Sequence, residues 1–164
     1  MALIGEKMIN TIELERVAQL IKNKTVEVLD TQYCREFNKF VTEQYPWDIG
    51  YGDLIDWDAT PGYKQIKNVQ LFSSEAKKFI RDSCVAKYDY LAIVYGSEKP
   101  GVIGKFDDVV NNLSNLSFHT PWVEFIIGTT KNKYGIFELV NNDFIEVWDG
   151  KCTMTAPDVA SQKN

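Results

Sequence analysis

The stretch Gly50–Phe72, GYGDLIDWDATPGYKQIKNVQLF, decides how the rest of the chain is read. Trp47 to Gly50 and Asp53 to Trp57 are each short enough for a strand, and Gly50-Tyr51-Gly52 lets them meet. Ala59-Thr60-Pro61-Gly62 is a turn signal, and Tyr63 to Leu71 reads as a third strand. Side chains alternate along a strand, so Gln65 and Lys67 share one face and Ile66 takes the other. A strand carrying Asp53 beside this one would bring Asp53 to the same spot. A carboxylate, an amide oxygen, the carbonyl of Ile66 and water make the all-oxygen shell that Mg²⁺ prefers. Such a metal stabilises charge on a phosphate and lowers the pKa of bound water. Lys67 would orient or deprotonate that water.

Helical periods flank this segment. Asn10 to Asn23 places Leu14, Val17, Ala18 and Ile21 on one face, with Asn10 and Glu13 in a capping-box arrangement. Thr25 to Leu29 fits a short strand or the turn of a helix pair. Asp30 or Thr31 caps a second helix to about Gln44, striped by Tyr33, Phe37, Phe40 and Val41 and stopped by Pro46. Ser73 or Ser74 caps a third, to about Val85. Tyr90 to Tyr95, YLAIVY, is the apolar run of a strand covered on both faces. Ser97 to Gly104 reads as a loop and Lys105 to Leu116 as an amphipathic helix. Trp122 to Gly128, Tyr134 to Val140 and Phe144 to Trp148 read as an antiparallel meander. The expected organisation is one domain over 1–152 with a frayed tail at 153–164.

Size and charge bound the function. The 164 residues are 45% hydrophobic and 25% charged, which suits one soluble domain with a proper core. The start, MALIGEKMIN, has no secretory pattern. Cys34, Cys84 and Cys152 fit neither a zinc spacing nor a disulfide framework, so the expected compartment is the cytoplasm, with no membrane partner. The net charge is −5, but it is unevenly placed. Phe40 to Tyr63 holds five acids and Tyr134 to Gly150 four, with no Lys or Arg in either. Lys64, Lys67, Lys77, Lys78, Arg81 and Lys87 crowd the segment between them. An acidic knot followed by a basic segment suits a metal site beside a phosphate track; a patchy solvated surface has the same composition.

The motif GDLIDWD, the strand YKQIKNVQLF and the helix SSEAKKFIRDS leading into YDYLAIVYG resemble the core of the PD-(D/E)XK nuclease superfamily, which includes small type II restriction endonucleases. The resemblance covers about Thr31 to Gly96. It implies an α/β (α+β) fold, with a mixed central sheet flanked by helices, an αβββαβ core and the C-terminal meander. It implies Mg²⁺ or Mn²⁺ held by Asp53, Gln65 and the carbonyl of Ile66, with Lys67 acting on water. Glu36, or in second place Glu43, matches the helix acid that often joins this site. The substrate implied is double-stranded DNA, and the implied assembly is a homodimer, for which the helix Asn10 to Asn23 is a candidate surface. Gly52 stands where the family has Pro, and Gln65 where most members have Asp or Glu.

Lys64, Lys77, Lys78 and Arg81 would be phosphate contacts in that setting. Lys131-Asn132-Lys133 and Asn141-Asn142 carry groups suited to base edges or phosphates, and turn chemistry explains them equally well. A rival class is a non-enzymatic acidic inhibitor or immunity protein that covers a basic toxin. Its motive is the acidic balance and the aromatic-acid runs YPWDIGYGDLIDWD and NNDFIEVWDG.

Overall fold

A computed structural model describes residues 12–48, 54–60, 63–68, 73–96, 99–116, 124–139, 143–148 and 153–157. Helix α1 (Ile12–Lys22) ends in a left-handed residue, Lys24, at φ +60°. The Lys24 N–H donates to Ile21 O at 3.0 Å and the Thr25 N–H to Leu20 O at 2.9 Å, closing a Schellman motif. Strand β1 (Val26–Leu29) follows. Helix α2 (Thr31–Gln44) starts where Asp30 Oδ1 accepts the Gln32 N–H at 2.9 Å. It buries Tyr33, Cys34, Phe37 and Val41 and stops before Pro46.

Strands β2 (Trp47–Asp48) and β3 (Leu54–Ile55) pair as expected, but only with each other. A 3-10 turn, Trp57–Ala59, leads to β4 (Tyr63–Asn68). Ser73 caps helix α3 (Ser74–Asp82), its Oγ accepting the Ala76 N–H at 3.2 Å. A second 3-10 turn, Cys84–Lys87, precedes β5 (Tyr90–Val94). Then come β6 (Gly101–Lys105), α4 (Phe106–Asn111) and α5 (Leu113–Leu116). The chain continues through β7 (Glu124–Lys131), β8 (Phe137–Glu138), β9 (Phe144–Trp148) and β10 (Thr153–Pro157).

The main sheet runs β1-β6-β5-β7-β9-β10-β4, with β8 beside β7. Alternation sorts its side chains into two cores. Leu91, Ile93, Val102, Ile126, Ile145 and Val147 meet Val17 of α1, Phe79 and Ile80 of α3, and the apolar faces of α4 and α5. Ala92, Val94, Ile103, Phe125, Ile127 and Phe144 meet Tyr33, Phe37 and Val41 of α2, with Ile55 and Trp57. Strand β5 therefore lies covered on both faces, as its unbroken apolar run requires.

The α+β class and flanking helices stand, but several expectations are corrected. The sheet is not mixed: every described pairing is antiparallel. The β4 strand does not extend a β2-β3 meander but pairs with β10. Burial of Ile55 and Trp57 draws the β2-β3 segment onto the face of the sheet, away from its edge. Gly101–Lys105 is a strand, not a loop. Its glycines are there for close approach, since a Cβ on Gly101 would stand 2.3 Å from Ile93 O. Residues 153–157, expected to begin a frayed tail, form a strand between β9 and β4. The Tyr134–Val140 strand shrinks to β8, because Asn132 Oδ1 accepts the Tyr134 and Ile136 N–H groups and holds that stretch as a turn. No described helix is long and apolar enough to cross a membrane.

Candidate functional site

Asp53 and Asn141 lie outside the described residues. Gln65, Ile66 and Lys67 sit on β4, as does Lys64. Lys67 is in register with Met154, and Met154 with Val147. Ile66 is in register with Thr155, and Thr155 with Glu146. Successive rows belong to opposite faces of a sheet. The backbone row of Lys67 continues through Val147 to Glu124 of β7. Glu36 lies on α2. The Glu36 carboxylate is exposed and accepts from Gln32 Nε2 at 3.1 Å. Glu43 is exposed too, 4.0 Å from Lys39 Nζ. No group of three or more His, Cys, Asp or Glu side chains poised for a metal ion occurs among the described residues.

The basic segment is partly neutralised. Lys78 donates to Asp82 at 2.6 Å, which raises its pKa. Arg81 donates to Asp107 at 2.8 Å and lies over the Phe106 ring. Lys77 is half-buried. At the end of β7, Lys131 Nζ stands 4.8 Å from the Phe137 ring centroid and 5.2 Å from that of Tyr90. Asn132 spends its side-chain oxygen on the turn, and Lys133 lies over Tyr134 at 5.0 Å.

Sequence reasoning missed two buried carboxylates. Glu146 of β9 is 4% exposed and accepts from the Trp57 indole N–H and, at 3.4 Å, from the Ile55 N–H. Burial pushes its pKa up to about 7, against these two donors. Asp143 is buried too, accepting from the Tyr88 hydroxyl with Lys87 Nζ 3.3 Å away. These two acids of the NNDFIEVWDG run therefore face inward and stitch the fold rather than line its surface. The sequence signal was the phase of FIEVW, in which Glu146 occupies the same face as Phe144. Burial raises the thiols of Cys34 to about 11 and of Cys84 to about 12, so neither is a nucleophile at neutral pH.

A different concavity opens at the end of the sheet where β5 begins and β6 and β7 finish. It is a cleft of about 490 Å³ lined by Tyr88, Asp89, Tyr90, Lys105, Phe106, Asp107 and Asp108, so three acids face one base. The Phe106 N–H donates to Asp89 O at 2.9 Å, which locks the two lining segments together. Among the described residues, Arg81 pairs with Asp107, while Asp89 and Asp108 form no ion pair. Aromatic faces beside carboxylates attract a cation twice over, through the ring quadrupole and through charge. No protein-family model, curated protein or solved structure matches this chain.

Proposed function

We propose that this chain is a non-catalytic protein-binding domain that takes basic side chains of a partner, as an acidic inhibitor covers a basic toxin. The observation that carries this reading is the open cleft in which Asp89, Asp107 and Asp108 stand beside Tyr88, Tyr90 and Phe106. An arginine or lysine entering it would stack on a ring and meet a carboxylate. Complementary charge of this kind speeds encounter and rejects wrong partners. The test is calorimetric titration with an arginine-rich peptide and with a glutamate-rich peptide of equal length. Binding of the first alone, weakened about tenfold or more by Asp89→Lys with Asp108→Lys, is the expected result. Equal binding of both peptides, or indifference to the substitutions, overturns it.

A second reading is a Mg²⁺-dependent, restriction-like endonuclease acting on double-stranded DNA. One observation favours it: residues 63–68 do form a strand, followed by the capped helix Ser74–Asp82. In that reading Asp53, Gln65 and the Ile66 carbonyl would hold Mg²⁺ or Mn²⁺, which supplies charge stabilisation and an acidified water. Lys67 would orient the water and Glu36 would assist. Discrete DNA fragments that require the metal and vanish in a folded Lys67→Ala variant would establish it. Uncut DNA with either metal removes it.

A further inference from the structure

We infer that two copies of this chain pair by exchanging their β7-β8 turns, each turn filling the other copy's cleft and so masking it. The inference rests on the cleft reading above and adds its regulation. Tyr134 is 74% exposed and Ile136 61%, and they are two of the three large hydrophobic side chains exposed among the described residues. Both sit on a turn that is held rigidly. The Asn132 N–H donates to Ile136 O at 2.8 Å, the Gly135 N–H to Asn132 O at 2.9 Å, and Asn132 Oδ1 accepts two further N–H groups. Gly135 takes φ +78°, which closes the loop. Below the turn, Thr129 Oγ1 donates to Glu138 O at 2.7 Å and ties β7 to β8. A preordered Tyr–Ile pair loses little entropy on docking.

Charge chooses the occupant. Lys133 in the turn and Lys131 at the end of β7 are basic, and neither is in an ion pair among the described residues. The cleft carries Asp89, Asp107 and Asp108 against Lys105, and with Asp107 paired to Arg81 the acids left to meet the turn are Asp89 and Asp108. The two features adjoin, because Lys131 lies over Tyr90, a lining residue of the cleft. Adjacency is what a two-fold pairing needs: turn meets cleft and cleft meets turn around one axis. A basic partner would then have to displace the second copy to reach the aspartates.

The test is sedimentation of the full chain across a concentration series at low and high salt. The expected result is a reversible dimer, weakened by salt and weakened about tenfold or more by Tyr134→Ala with Ile136→Ser. Charge reversal gives the sharper arm. Lys133→Glu alone and Asp89→Lys alone should each impair self-association, and an equimolar mixture of the two variants should restore a heterodimer. A parent chain that stays monomeric, or a mixture that stays unpaired, overturns the inference. The arginine-rich peptide, titrated into the Tyr134→Ala/Ile136→Ser variant, separates the two claims. Binding there beside a monomeric parent leaves the cleft reading standing and removes only the pairing. No binding beside a dimeric parent keeps the pairing and removes the foreign basic partner.

Discussion

Glu146, inside β9, accepts the indole N–H of Trp57, a residue 89 positions earlier in the chain. The same carboxylate accepts the Ile55 N–H, so one buried acid holds the β2-β3 segment on the face of the sheet. Burial raises its pKa from 4.5 to about 7. The folded state thus holds the proton more tightly than the unfolded chain. Stability from this group is greatest below pH 4.5, falls as the pH rises toward 7, and is constant above that. The loss is on the order of 3 kcal/mol. Denaturant titrations of the parent and of Glu146→Gln across this range check it. The parent-minus-variant difference should fall with rising pH and then level off; a flat difference contradicts the assignment.

Phe37 of α2 is fully buried, with its ring edge-on to Phe125 at 5.1 Å and to Phe144 at 5.5 Å. Phe37→Ala removes the aromatic centre of the core on that side. It should cost about 3–5 kcal/mol in a denaturation experiment. Phe40→Ala, at a half-buried position on the same helix, should cost clearly less.

Gly101 is required by the approach of β6 to β5. A methyl group there would stand 2.3 Å from Ile93 O and 3.3 Å from Cys34 Sγ and Leu29 Cδ2. Backbone cannot yield as a side-chain tip can. Gly101→Ala should destabilise by about 1–3 kcal/mol, read as a lowered Tm. Gly135→Ala should destabilise for another reason, the positive φ, with open space around the added carbon.

Lys24 occupies the left-handed position that closes α1. The side chain gains nothing visible for that conformation, which disfavours any residue with a Cβ. Lys24→Gly should raise stability by about 0.5–1 kcal/mol, measured as an increased Tm.

Local signals were the legible ones. Asp30 and Pro46 bracket α2, the Tyr33-Phe37-Val41 stripe names its buried face, and YLAIVY identifies a doubly covered strand. Long-range pairing was not legible. Nothing in YKQIKN says that its neighbour is Thr153–Pro157, because a strand's alternation fixes its two faces and not its partner. Glycines at 101 and 104 carry the same letter whether they loosen a loop or admit a neighbouring backbone. The acids Asp143 and Glu146 looked like surface charge because composition cannot show a Tyr88 hydroxyl or a Trp57 indole waiting inside. The cleft was invisible for a like reason. Its aspartates lie at positions 89, 107 and 108, in two segments brought together by the β5-β6 pairing and the Phe106–Asp89 hydrogen bond.

The most direct measurement is a ¹H–¹⁵N correlation spectrum of the full chain titrated with the arginine-rich peptide, and separately with Mg²⁺. The account predicts shifts concentrated at Tyr88–Tyr90 and Lys105–Asp108 with the peptide, saturating at one peptide per cleft. Peptide-induced shifts absent from those residues, with Mg²⁺ moving Gln65, Ile66 and Lys67 instead, would contradict the binding-domain account and favour the nuclease.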